Sequence, residues 1–110
     1  MSNTPEVPAP IDSFIEAVNR HDETAFLDAF TSDGSVDDWG RVFTGREAIK
    51  GWSDNEFIGA DGVLTPEEVS DSEDGTLVVG DWASTHANGR SAFTFATEGG
   101  KITRMTIREG

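Results

Sequence analysis

A chain of 110 residues builds one domain with one core and is too short for two. Its 21 acidic residues outnumber 8 basic ones, and the acids are scattered, so a net charge of −13 repels phosphate backbones and anionic membrane surfaces and argues against a nucleic-acid partner. It has no Cys, which excludes disulfides, thiolate metal sites and a cysteine nucleophile, and no apolar run approaches a membrane span.

Residues 1–10 (MSNTPEVPAP) carry three prolines, no basic start and no apolar run, and read as a flexible lead-in to a single domain over residues 11–110. A cytoplasmic location is the default expectation. With only Lys50 and Lys101 as lysines, the charge balance fits a high-salt cytoplasm, where salt screens self-repulsion, or an ordinary acidic protein. From Ile11 the spacing of Ile11, Phe14, Ile15 and Val18 predicts an amphipathic helix ending near Arg20. Asp22 is placed to cap a second helix whose stripe is Ala25, Phe26, Ala29 and Phe30. A short strand is expected over Ser35 to Trp39. Thr44-Gly45-Arg46-Glu47 has capping-box spacing and opens a third helix through Ile49 and Trp52; Ser53 to Glu56 repeats that spacing, so the helix either runs on or breaks and restarts there.

The second half changes period. Asp74-Gly75, Asn88-Gly89 and Gly99-Gly100 are hairpin signals that separate four strands, near Gly62 to Ser72, Thr76 to Ala87, Arg90 to Thr97 and Lys101 to Glu109. A two-residue Asn88-Gly89 turn places Trp82 opposite Phe95 and Ser84 opposite Phe93, so one face carries Trp82, Ser84, His86, Ser91, Phe93 and Phe95. A three-residue last turn then sets Met105 opposite Phe93 and Ile107 opposite Ser91. The other face is small (Val79, Ala83, Ala92, Thr94, Ala96) and is expected to meet solvent or a second copy, giving a homodimer through the outer sheet face.

The order helix, helix, Ser32-Asp33-Gly34-Ser35-Val36-Asp37-Asp38, Thr44-Gly45-Arg46-Glu47-Ala48-Ile49, meander and Gly100-Lys101-Ile102-Thr103-Arg104 resembles the NTF2-like (SnoaL-like) superfamily over nearly the whole chain. The resemblance implies an α+β cone, with N-terminal helices packed in a curved antiparallel β-sheet around a pocket open at one end. Such a fold hosts isomerases, cyclases, dehydratases and non-catalytic carriers, so it does not by itself choose a chemistry. Among these, the ketosteroid isomerases match best at Val36-Asp37-Asp38, where the resemblance places the general base at Asp38. The oxyanion-holding acids of that reaction are missing: Phe14 stands at the tyrosine position, and Ser91 or Ala92 at the aspartic acid.

Asp38 is the leading catalytic candidate, because a carboxylate at an apolar pocket wall is partly desolvated and moves toward useful base strength. Strand alternation leaves open whether Asp37 or Asp38 points inward. His86 is the second candidate, as a partner that orients Asp38 across the pocket, or else a solvated residue beside a turn. Phe14, Val18, Phe30, Trp39, Trp82, Ser84, Ser91, Phe93, Phe95, Met105 and Ile107 are the candidate lining for a small hydrophobic molecule, or the members of a filled core. His21 and His86 lack ligand spacing, so no metal and no cofactor is expected. The acids Glu67, Glu68, Asp71, Glu73 and Asp74 miss the order of a calcium loop and read as a charged strand edge.

Overall fold

The computed structural model describes residues 6–73 and 75–110. Helix α1 (Ile11–Asn19) buries Ile11, Phe14, Ile15 and Val18, the stripe that its spacing predicts. Asp22 Oδ1 accepts the Ala25 N–H at 3.1 Å and starts α2 (Glu23–Asp28). That helix stops before Phe30, which the helical stripe had included. The Ala29 carbonyl instead accepts the Ile102 N–H at 2.8 Å, so a strand captures the backbone and Phe30 becomes the first residue of β1 (Phe30–Asp38).

A second strand not expected from sequence, β2 (Arg41–Thr44), folds back on β1 and precedes α3 (Arg46–Glu56). The turn between them is Trp39-Gly40, with φ of 55° and 92°, the two positive values that a tight twisted hairpin needs. Because β2 extends through Thr44, the capping box does not form. Gly45 occupies the cap position, and no side chain caps α3. Nor does α3 break at Ser53, whose Oγ accepts the Ile58 N–H at 3.3 Å where the chain enters a short 3-10 turn (Ile58–Ala60).

The meander follows as β3 (Val63–Ser72), β4 (Gly75–Ala83), β5 (Gly89–Glu98) and β6 (Lys101–Glu109). Asp74, half of the expected first turn, lies outside the described residues, as do residues 1–5 of the lead-in. Within the described part Val7 packs against the core. The sheet has the order β2-β1-β6-β5-β4-β3, antiparallel throughout except for the parallel pair of β1 with β6. Register shifts in β1, β3 and β5 bend it into an unclosed cone around the helices.

The expected registers are corrected in detail. Ser84 to Asn88 form a loop, tied by Ser84 Oγ donating to the Ala87 carbonyl at 2.7 Å, so Trp82 faces Gly89 and Phe93 faces Val78. The offset is even, and Trp82, Phe93 and Phe95 therefore still share the inner face. At the last turn only Gly99 and Gly100 form the loop, and a bulge between Ala96 and Thr97 supplies the missing residue. Met105 thus pairs with Phe95 and Ile107 with Phe93. In the narrow part of the cone, Phe14 meets Phe26, Phe30 and Phe95 at ring-centre distances of 5.4, 5.6 and 5.4 Å. Among the described residues no helix is long and apolar enough to cross a membrane.

Candidate functional site

At the wide end a cavity of about 520 Å³ opens between the β1–β2 hairpin, the C-terminal half of α3, the Ser84–Asn88 loop and the ends of β5 and β6. Its inner wall is a graded aromatic stack. The Phe57 ring lies 4.7 Å from Trp52 and 4.5 Å from Trp82, nearly parallel to the latter at 11°. Phe93 and Ile107 continue this wall across the sheet.

Asp38 is placed here by strand alternation. It is 9% exposed and lines the cavity, whereas Asp37 points to the opposite face and binds Arg108 at 3.0 and 3.1 Å. That guanidinium, helped by the Gly40 N–H, holds the Asp37 carboxyl below the usual range. Asp38 is not an isolated desolvated acid: its Oδ2 accepts the Trp52 indole N–H at 3.1 Å and pairs with Arg41. The β1–β2 turn brings Asp38 and Arg41 opposite each other. Arg41 in turn grips both oxygens of Glu56, at 2.6 and 3.0 Å, and this bond keeps the Glu56 carboxyl below its ordinary value and the Arg41 guanidinium firmly charged. Glu56 Oε1 also meets His86 Nε2 at 3.1 Å. A continuous polar chain, Trp52 to Asp38 to Arg41 to Glu56 to His86, therefore runs along one side of the mouth.

His86 thus lies at the cavity but contacts Glu56; it does not orient Asp38, because the wider loop carries it past the strand end. Of the expected lining, Trp39, Trp82, Ser91, Phe93 and Ile107 face the cavity. Phe14, Val18, Phe30, Phe95 and Met105 are instead sealed in the core, each 2% exposed or less, because the cone narrows around α1. Ser84 is used inside its own loop. Sequence reasoning missed Arg41, Glu56 and Phe57. Arg41 had a local signal, since Gly40 after Asp38-Trp39 suits a tight turn that returns the chain beside Asp38. Glu56 and Phe57 had none, because only the full length of α3 brings them to the mouth. Among the described residues no group of His, Asp and Glu gathers in a way that holds a metal ion.

A model of the SnoaL-like domain family matches residues 11–105. A search of curated proteins finds no significant match. Among solved structures, the chain is similar to a proposed polyketide cyclase from Sinorhizobium meliloti, with 23% identity, 93% of this chain and 95% of that one covered, and a TM-score of 0.80. It is also similar to a Mycobacterium tuberculosis protein in complex with estradiol-17β-hemisuccinate, at 22% identity, 96% and 95% coverage and a TM-score of 0.80. A computationally designed 17-OHP binder shares 20% identity over 96% of this chain and 93% of its own, again with a TM-score of 0.80. At these identities the likeness establishes a shared fold.

Proposed function

The chain belongs to the SnoaL-like domain family, and from that premise we propose that its cavity takes up a small, largely apolar molecule on which Asp38 acts as the general base of an isomerase, cyclase or lyase. The observation that carries this reading is the state of the Asp38 carboxylate. It is nearly enclosed, one oxygen is fixed by Arg41 and Trp52, and among the described residues the other oxygen accepts no hydrogen bond. The fixed oxygen sets the orientation of the group. The second is left to meet a proton on a ligand resting against Trp82, Phe93 and Ile107. That similar folds hold a steroid ester and a designed 17-OHP site supports the apolar ligand class. Ketosteroid isomerisation is not the reaction we favour, because Phe14 is in the core and Ser91 offers only a weakly acidic hydroxyl to a developing oxyanion.

A second reading, a non-catalytic ligand-binding or dimerisation domain, is favoured by the two contacts that already occupy Asp38 Oδ2, since they suit an anchor as well as a base. Exchange of α-protons separates the two. We expect the protein to bind estradiol by calorimetry and to accelerate deuterium uptake at the α-carbons of 2-tetralone, followed by proton NMR. Asp38→Asn should keep estradiol binding and lose the acceleration, because the amide preserves shape without a basic oxygen. Equal exchange with and without the wild-type protein, alongside intact binding, overturns the catalytic reading in favour of the second.

A further inference from the structure

Resting on the reading of the cavity as a small-molecule site, we propose that its occupant is an organic cation, an apolar ring system bearing an ammonium or similar positive group. The lining holds three carboxylates, Asp38, Glu56 and Glu109, and two guanidinia, Arg41 and Arg90. Neither guanidinium is available to an anionic ligand. Arg41 is held by Asp38 and by both oxygens of Glu56, while Arg90 gives one nitrogen to Glu67 at 2.7 Å and the other to Glu68 at 2.6 Å. Four carboxylates therefore face two guanidinia, and negative charge is in excess before Glu109 is considered. Glu109 has no ion pair among the described residues, and Asp38 keeps one oxygen without a hydrogen bond.

This charge sits against an apolar wall, where the lower dielectric strengthens its attraction for a cation. A cation seated over the face of a Trp or Phe ring is attracted by the ring quadrupole, which repels an anion there. Trp39 at the mouth is 59% exposed and stacks on no other ring among the described residues, so its indole is free for such a group. His86 is engaged by Glu56 and adds no separate anion site. At longer range the net charge of −13 draws cations to the molecule and turns anions away.

Three probes with one ring system test the idea by isothermal titration calorimetry: trimethyl(2-naphthylmethyl)ammonium, 2-naphthylmethanol and 2-naphthylacetate. The ammonium should bind about tenfold tighter than the alcohol, and the acetate weakest. The gap should narrow as salt screens the acidic lining. Glu109→Gln, a change at an exposed strand end that leaves the core untouched, should weaken the ammonium severalfold and leave the alcohol unchanged. If the alcohol or the acetate binds as tightly as the ammonium, the cation proposal is overturned while the pocket stands. If none of the three binds and estradiol also fails, the small-molecule site itself is lost.

Discussion

Asp37 and Asp38 are chemically identical neighbours that the strand sends to opposite faces, one to Arg108 on the outside and one to the cavity. For Asp37 the consequence is a pH dependence of stability. Its folded carboxyl titrates below the unfolded value of about 3.9, so its contribution is fully present above that value and is lost as pH falls through the folded one. Asp37→Asn should accordingly be less stable than wild type at pH 7, with the gap smaller at pH 3, as read from urea unfolding at the two pH values. If the gap is the same at both, the Arg108 bond is not what stabilises Asp37. Asp38 was legible as a candidate from its setting between Val36 and Trp39, but its inward direction was not, since period-2 alternation needs a known phase. Of the partners that define its state, Arg41 is signalled by the tight turn at Gly40, whereas Trp52 comes from α3 and leaves no mark near Asp38 in sequence.

At the scale of elements, the side chain of Asn19 hydrogen-bonds the end of α1 to the sheet. Asn19 donates to the Leu64 carbonyl at 2.8 Å and accepts the Leu64 N–H at 2.7 Å, so its amide pairs with β3 as a strand residue would. Asn19→Ala leaves both Leu64 groups without their partner and should cost about 2 kcal/mol in chemical denaturation. A cost near zero would mean that water replaces the amide freely. The helices and meander strands were legible because their apolar periods are long and regular. The exact pairings were not. Gly-containing dipeptides announce a turn without fixing its length, and both the Ser84–Asn88 loop and the bulge after Ala96 changed the partners while keeping the faces. The strand β2 escaped because four residues, mostly exposed, carry no usable periodicity.

For the whole molecule, charge and surface shape act together. The outer sheet face carries Ala92, and Thr94, Ala96, Arg104 and Thr106 line a hollow on it. We propose that a second copy covers this face. Two bodies of charge −13 repel, so dimerisation should strengthen from low to molar salt in light scattering, and a monomer at both extremes would reject it. The parallel pairing of β1 with β6 also dictates an order of events. Each neighbouring pair within β3 to β6 closes a short loop, whereas joining residues 30–38 to residues 101–109 must immobilise most of the chain, at a greater entropic cost. The meander is therefore expected to form early and the β1–β6 seam late. Val36→Ala, which loosens the seam beside Met105, should speed unfolding and leave refolding near the wild-type rate, while Val78→Ala at the centre of β4 should slow refolding. Stopped-flow tryptophan fluorescence resolves the two, and the reverse pattern would show that the seam nucleates. Since Asp38 and Trp52 lie on one side of that seam and Trp82 and Phe93 on the other, the cavity exists only once folding is complete. A molecule taken up by the proposed site should therefore bind the native state alone and slow its loss.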